Sequence, residues 1–530
     1  MTIVTVLFEL LVAAHTTVVL VGFAAVRVRW TQRGIAAVLV ACWLSNSTHA
    51  QTFERVDTPG GFNRIQVILA VADLNGDGRD DIIAGGQPND GSETVEDRLD
   101  KPPVQVFLGN RDGRLELAPA EMLPSIRART PVAVTDDFNG DGRLDFAVFD
   151  AGVYVWAESS GYGNPPQLLL STPSGSFEHS AALADAVREE HEQRLPPVPS
   201  PDPADLHIKS ATSGDIDNDG DVDLWVQSGG GANVEEHFMV NNGDGTFTVD
   251  RDNRATRPVL HAQPPDGSQY WGWDGGHFVD IDNDGDLDLA LGHIRDRGPL
   301  SIDQYNTVMV NDGTGYYPTR IDLPRVRFFD GFTAVGWLTH FDVNDDGFED
   351  LFLMNTRNDD VDPDALAWTG RYIQVLVNRR VPLPGGGIWF GDETETWVKG
   401  QEDTTPERLP NGEPLHNGGA RFAKHDVDRD GCIDLVMVRS GRDVSRYAPM
   451  VYLNNGSGQF RPMSPDAIRR ADRYFGDNAA PADVNGDGAV DFVEVDIDEG
   501  PDRVIHTEDD AGVFATLVNT TPRRSPRCVR

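Results

Sequence analysis

Short apolar runs recur along the chain, each entered from an acidic, glycine-punctuated turn. They are Ile82-Ile83-Ala84, Phe146-Ala147-Val148, Leu224-Trp225-Val226, Leu289-Ala290-Leu291, Leu351-Phe352-Leu353 and Leu435-Val436-Met437. Runs of this length are too short for helices and rich in β formers, so each predicts a strand. A second punctuation predicts hairpins between apolar runs: Asn-Asn-Gly-Asp-Gly-Thr-Phe at 241–247, Asn-Asp-Gly-Thr-Gly-Tyr-Tyr at 311–317 and Asn-Asn-Gly-Ser-Gly-Gln-Phe at 454–460. Gly109 to Leu115 and Asp509 to Phe514 read as looser versions of the same hairpin.

The turn before each run is one nine-residue phrase, Asp-x-[Asp/Asn]-x-Asp-Gly-x-x-Asp, written seven times. Its positions 1, 3, 5, 7 and 9 are Asp73, Asn75, Asp77, Arg79 and Asp81 in the first copy, and Asp137, Asn139, Asp141, Arg143 and Asp145 in the second. The third has Asp215, Asp217, Asp219, Asp221 and Asp223; the fourth has Asp280, Asp282, Asp284, Asp286 and Asp288. The fifth has Asp342, Asn344, Asp346, Phe348 and Asp350; the sixth has Asp426, Asp428, Asp430, Cys432 and Asp434. The seventh has Asp483, Asn485, Asp487, Ala489 and Asp491.

Crowded carboxylates repel one another unless a cation sits among them. Oxygen ligands without His or Cys suit Ca²⁺, which takes about 6–8 oxygens in flexible geometry. The glycine at position 6 permits the sharp turn that gathers positions 1, 3 and 5. Position 7 would lend only its backbone carbonyl, and its side chain varies freely. An EF-hand would need Glu at position 12 and flanking helices. Position 12 is Ala84, Val148, Val226, Leu291, Leu353, Met437 and Glu494, and each loop leads into a strand. The expected cofactor is Ca²⁺, up to seven ions.

By subtraction, the phrases begin 64, 78, 65, 62, 84 and 57 residues apart, room for four short strands each. The unit reads strand, calcium loop, strand, connection, strand, hairpin, strand. Repeats of this kind predict an all-β fold: a seven-bladed β-propeller of four-stranded antiparallel blades, with a calcium loop in each blade. An open solenoid is the alternative. The chain resembles the FG-GAP/VCBS repeat family, whose calcium-loop propellers include integrin α-subunit heads. The resemblance covers roughly residues 52–520 and implies a closed ring. The segment Thr52–Val56 is expected to pair with the last blade and remove its open edge.

In such blades the calcium loops and the 3-to-4 hairpins share one face. The 2-to-3 and 4-to-1 connections share the other, and the long insertions 178–207, 250–275, 355–371 and 391–418 all fall there. Elaborated loops on a rigid scaffold are where binding usually lives. The family resemblance agrees, since integrin-type propellers bind ligands on the face away from the calcium loops.

Three regions divide the chain: a targeting segment at 1–50, the propeller at 51–521 and a basic, disordered tail at 522–530. Met1–Val26 is mostly apolar, interrupted by Glu9 and His15. Arg27, Arg29 and Arg33, the apolar core Ile35–Leu44 and the small-residue site Thr48-His49-Ala50 read as a secretory signal cleaved after Ala50. Residues 1–25 then read as an over-extended gene start or as a membrane span. A lipoprotein box at Leu39-Val40-Ala41-Cys42, with the anchor on Cys42, is a further reading, against which Trp43 and Leu44 are unusual. All of these export the chain, to the cell envelope or beyond, where low-affinity calcium loops would fill.

The net charge is −40, and phrase positions 1, 3, 5 and 9 supply 24 of the carboxylates. Seven Ca²⁺ would offset 14 charges and leave an acidic surface, which argues against nucleic acid and anionic membrane as partners, with membrane expected only through an N-terminal anchor. Past the signal only Cys432 and Cys528 remain; a bridge between them is one option, and two cysteines make no framework.

No Gly-x-Ser-x-Gly elbow, His-Glu-x-x-His or phosphate loop is present. His277, His340 and His425 precede calcium phrases on the predicted inner strands. They read either as channel lining or as packing beside the loops. Tyr270, Trp271 and Trp273 form an aromatic cluster in an insertion, and Trp368, Tyr372 and Trp397 lie in other insertions on the same face. Such rings serve as sugar platforms or as anchors for long loops. Asp359, Asp360, Asp362 and Asp364 form an extra acidic stretch, and Glu189–Pro203 reads as an exposed, semi-rigid linker. The function expected is a monomeric, calcium-stapled binding or adhesion module for a protein or glycan. The alternative is a calcium-dependent polysaccharide lyase or hydrolase, with Tyr270, His261 and Arg257 as its nearest candidate residues.

Overall fold

Each apolar run forms the second strand of an antiparallel sheet, buried on both faces. In the computed structural model the described residues lie between 51 and 528. The longer stretches outside them are 1–50, 87–100, 194–205, 228–235, 256–272, 294–305, 325–332, 358–368, 399–419, 440–449, 464–478 and 499–510. Blade 1 is built from Val67–Ala72, Asp81–Gly85, Pro103–Gly109 and Leu115–Leu117, hydrogen-bonded in that order. Blade 2 adds Pro131–Asp136, Asp145–Asp150, Gln167–Ser171 and Phe177–Ser180, and blade 3 adds Ser210–Gly214, Asp223–Gln227, Glu236–Asn241 and Phe247–Asp250. Blade 4 has Trp273–Val279, Asp288–His293, Thr307–Val310 and Thr319–Asp322. Blade 5 has Thr333–Phe341, Asp350–Arg357, Thr369–Pro382 and Ile388–Asp392, and blade 6 has Ala420–His425, Asp434–Arg439, Met450–Asn454 and Phe460–Pro462.

Blade 7 draws three strands from the end of the chain, Ala479–Ala482, Asp491–Asp498 and Ala511–Asn519. Its fourth is Phe53–Asp57, paired antiparallel with register Phe53↔Asn519 through Asp57↔Ala515. The first strand of every blade touches that of the next or, between blades 6 and 7, the second strand of blade 6 touches the first of blade 7, and blade 7 touches blade 1. This is a closed seven-bladed β-propeller. Of the hairpin expected at Asp509–Phe514, Asp509 and Asp510 lie outside the described residues, and the rest is strand. Ala511 begins the third strand of the last blade, and the N-terminal strand makes a return turn unnecessary.

The core is divided among the blade interfaces. Successive residues of a second strand point to opposite neighbours. Ile82 and Ala84 pack toward blade 7, and Ile83 packs toward blade 2. Leu351 and Leu353 face blade 4, while Phe352 and Met354 face blade 6. Strands buried on both faces need uninterrupted apolar sequence, which is why these runs do not alternate with polar residues.

Two helices lie among the described residues, α1 (Ala182–Gln193) and α2 (Thr394–Trp397). The proline-rich linker expected from Glu189 thus begins inside α1, whose buried Leu183, Ala186 and Val187 join the core between blades 2 and 3. The segment 522–528, expected to be a disordered tail, lies against blade 6. A disulfide between Cys432 and Cys528 holds it there, together with N–H donations from Arg524 to Arg429 O (2.9 Å) and from Arg527 to Asp430 O (2.8 Å).

Candidate metal centres

All seven phrases fold as loops with one hydrogen-bond plan. In blade 1 the position-1 carboxylate takes two backbone donors, Asp77 N–H on Oδ1 (3.0 Å) and Gly78 N–H on Oδ2 (2.8 Å). Asp77 Oδ1 accepts from Arg79 N–H at 3.1 Å. The same contacts recur in blade 4, where Asp280 accepts from Asp284 and Gly285, and Asp284 from Asp286 N–H. The glycines at position 6 have φ between +77° and +97° and let the chain double back. Position 4 is also left-handed: Gly76, Gly140 and Gly486 in three loops, and Asn218, Asn283, Asp345 and Arg429 in the others.

Position 9 does more than face the loop. Asp81, Asp145, Asp223, Asp288, Asp350, Asp434 and Asp491 are all buried. In blade 4, Asp288 Oδ2 accepts from Ile281 N–H (2.9 Å) at the loop's start, and Oδ1 accepts from Asn311 N–H (2.8 Å) at the end of the third strand. The equivalent third-strand donors are Gly109, Ser171, Asn241, Asn378, Asn454 and Asn519. Burial raises these carboxyls, to about 8 for Asp288 and Asp434, about 7 for Asp81, Asp223 and Asp491, and about 6 for Asp145 and Asp350. The N–H donors pull the other way, and neighbouring loop acids add to the rise.

The third-strand asparagines also tie neighbouring blades together. Nδ2 of Asn241 donates to Phe138 O, Asn311 to Ile216 O, Asn378 to Ile281 O and Asn519 to Val427 O, at 2.7–2.9 Å. Each acceptor is position 2 of the preceding blade's loop, whose own N–H binds that blade's position-9 Asp. Hydrogen bonds thus run from loop to loop around much of the ring. Blade 1 has Gly109 here; a Cβ on it would sit 2.4 Å from Asp80 O and 2.7 Å from Val484 O. Sequence reasoning took the first Asn of each Asn-x-Gly turn for a turn former only, although its recurrence just before the hairpin was a usable signal.

The donor set fits a hard cation. Buried oxygens without a hydrogen-bond partner include Asp217 Oδ1, Asp282 Oδ1, Asn344 Oδ1, Asp428 Oδ1, Asp430 Oδ2 and Asp491 Oδ2, all inside the loops. Buried anionic oxygens are costly unless compensated. In the four-carboxylate loops, one oxygen each from Asp215, Asp217 and Asp223 lies within 4.8 Å of the others, as do Asp280, Asp282 and Asp288, and Asp426, Asp428 and Asp434. Arginine often holds the outer oxygen. Arg254 binds Asp217 Oδ2 (2.9 Å) and Arg524 binds Asp428 Oδ2 (2.7 Å), leaving each Oδ1 inward. Arg79 pairs with Asp77, Arg143 with Asp141, and Arg380 with Asp346.

A profile of the FG-GAP-like repeat matches residues 73–148 and 426–494, each match opening on position 1 of a loop in this closed propeller. These two stretches are FG-GAP-like repeats, and with the seven-bladed ring they support the FG-GAP propeller family. A search of curated proteins finds no match. Among solved structures it is similar to an Aleuria aurantia lectin mutant in complex with Fucalpha1-6GlcNAc, at 10% identity and TM-score 0.31 over 71% of this chain and 87% of that one. It is also similar to an α-L-arabinofuranosidase mutant from Fusarium graminearum in complex with an iminosugar inhibitor, at 10% identity and TM-score 0.37 over 89% and 97%. Likeness at these scores carries no functional argument.

Near the FG-GAP loops, His277 and His340 on adjacent inner strands have ring centroids 6.5 Å apart. His340 Nδ1 lies 3.0 Å from Glu349 Oε2, and Lys424 Nζ donates to His340 O at 2.6 Å. Burial lowers His277 and His425 to about 4, with the positive charge of His340 and Lys424 adding to the effect on His277, so both rings are neutral at pH 7. Of the aromatic candidates, Tyr270, Trp271 and Trp368 lie outside the described residues, as do Arg257, His261 and Asp359–Asp364. Trp273 and Tyr372 have their backbones in strands, paired with His293 and Asn355. Trp397, at the end of α2, packs against Gly458 of the FG-GAP-loop face, and its Nε1–H donates to Glu393 at 3.2 Å. No helix among the described residues is long and apolar enough to cross a membrane. The disulfide is compatible with export.

Proposed function

We propose that this propeller is an exported, calcium-stapled binding module that holds a protein or glycan on the face opposite its FG-GAP loops. One observation carries the binding reading. The 3-to-4 turns on the loop face are short, as at Asn241–Phe247 and Asn454–Phe460, whereas α1, the extra hairpin Val153–Val155/Ser160–Tyr162 and the long connections all interrupt the 2-to-3 and 4-to-1 positions. A rigid ring with one uniform face and one varied face suits recognition on the varied one. Calcium acts as the staple: buried carboxylate oxygens without a hydrogen-bond partner in the loops are what a Ca²⁺ ion would satisfy. Tyr270, Trp271, Trp273, Trp368 and Tyr372 are the residues we assign to the ligand face.

Glycan arrays and pull-downs, run in calcium and again in chelator, test the proposal. Saturable, calcium-dependent capture of a defined glycan or protein, lost when Trp271 and Trp273 are changed to Ala, is expected. Turnover of a polysaccharide without such capture would replace this reading with an enzymatic one.

A further inference from the structure

The sixth loop differs from the other four-carboxylate loops in its cover. In blade 4, Asp282 is half-buried and Asp284 exposed, and no arginine pairs with Asp280, Asp282, Asp284 or Asp288 among the described residues. In blade 6 the corresponding Asp428 and Asp430 are 4% and 0% exposed. The cover is the 522–528 segment. Pro526 and the Cys528 carbonyl lie over Gly431, and Arg527 lies over Gly456. The covering segment is pinned by two backbone hydrogen bonds, to Arg429 O and Asp430 O, and covalently through Cys432, the position-7 residue of the loop itself.

With all four carboxylates ionised, the charges beneath the cover do not balance without a cation. Asp426, Asp428, Asp430 and Asp434 stand against Arg524, which binds Asp428 Oδ2 at 2.7 Å, and Arg527, whose Nε is 3.6 Å from Asp430 Oδ2. Two guanidinium groups match half of that charge. A divalent ion matches the rest. Asp428 Oδ1 and Asp430 Oδ2 are buried without a hydrogen-bond partner, and Asp428 lies with Asp426 and Asp434 in one cluster of inward oxygens. On Asp428, Arg524 at the outer Oδ2 fixes the carboxylate so that Oδ1 points inward at a metal, as outer-sphere partners do for metal ligands generally.

We propose that blade 6 holds an occluded Ca²⁺, sealed in by the disulfide-latched 522–528 segment, while the ion of blade 4 exchanges freely with solvent. The inference rests on the calcium reading of the loops and goes beyond it. The latch makes ion release conditional on lifting the segment, so occlusion shows as a slow off-rate.

The test loads the full chain with ⁴⁵Ca, passes it over a chelating resin and tracks retained counts. The wild-type protein is expected to keep roughly one ion per chain, released about a hundredfold more slowly than the rest, because tightening within one site is expressed mostly in the off-rate. Cys528→Ser, and separately Arg524→Ala/Arg527→Ala, should collapse the slow phase into the fast one with circular dichroism unchanged. Asp428→Asn, with the disulfide intact, should abolish the slow ion without lifting the cover. Rapid, complete release from wild type overturns the proposal while leaving the calcium reading intact. A slow ion that survives Asp428→Asn also overturns it, by placing the ion elsewhere. No bound calcium in any variant would overturn both readings.

Discussion

The loops of blades 4 and 6 present the same four carboxylates on the same backbone turn, and they sit in different surroundings. Blade 4's loop opens to solvent, whereas blade 6's is roofed by a covalently tethered segment that sets Arg524 and Arg527 against its carboxylates. Ligand type and spacing decide which ion a loop can take. Whatever lies over the loop decides how fast that ion comes and goes. Beneath both loops the position-9 carboxylates are held alike, Asp288 between Ile281 and Asn311, Asp434 between Val427 and Asn454. The architectural duty is thus common to the pair and the exchange behaviour is not.

The largest expected effect is removal of calcium. A ligand at a hundredfold excess over its Kd stabilises the native state by about 2.7 kcal/mol per site, and these loops repeat around the ring. Differential scanning calorimetry in calcium and after exhaustive chelation should show a large drop in Tm. An unchanged Tm would end the calcium reading and with it the contrast between the two blades.

Next come the position-9 carboxylates. Asp288→Ala and Asp434→Ala each strand two buried backbone N–H groups. Unsatisfied buried donors cost about 1–3 kcal/mol each, so either variant should lose several kcal/mol in denaturant titrations. The two losses should be similar, and each should persist in chelator. A loss that vanishes in chelator would mean that position 9 serves the ion alone.

A pH series sharpens the comparison further. Asp288 and Asp434 are raised to about 8 by burial, whereas an unfolded Asp titrates near 3.8. Between those values the unfolded chain has released a proton that the calcium-free ring still holds. The calcium-free protein is therefore most stable at the acid end of that window and loses stability as pH rises toward 8. Calcium needs the carboxylates ionised, so its stabilising effect should grow across the same window. Paired melting curves in calcium and chelator should converge near the acid end, at about pH 5, and diverge toward about pH 9; parallel curves would contradict the raised carboxyls.

The smallest effect expected is at position 7. Asp284→Ala removes a loop carboxylate and should weaken calcium binding in blade 4 measurably by calorimetric titration. Asp286→Ala should change stability by no more than about 0.5 kcal/mol, since among the described residues its side chain accepts one surface hydrogen bond, from Asn218. Equal effects would mean that the loop offers its ligands in another order.

Much of this was legible in the chain itself. Seven phrases meant seven blades, the apolar runs meant strands buried on both faces, and Thr52–Val56 was the natural closing strand; Phe53–Asp57 fills that place. The features that stayed hidden depend on partners far away in the chain. Asn311 reads as part of a turn because its second role, holding Ile216 O, joins residues 95 positions apart. Arg524 reads as part of a solvated basic tail because its acidic partner, Asp428, is 96 residues upstream. Trp397 sat in an insertion by sequence, but α2 turns it back onto Gly458.

The strand Phe53–Asp57 finds its partner only when Ala515–Asn519 exists, and the threonines just beyond the seam meet across a separation of 468 residues. At roughly 5–20 residues per second, synthesis keeps the earliest strand waiting about half a minute to a minute and a half for the last one. During that interval blades 1 to 6 are synthesised one after another while the ring cannot shut. The final strand therefore acts as a completeness check. A chain cut short before residue 511 leaves Phe53–Asp57 unpaired and blade 7 open-edged, a form suited to aggregation or disposal and not to carrying a ligand.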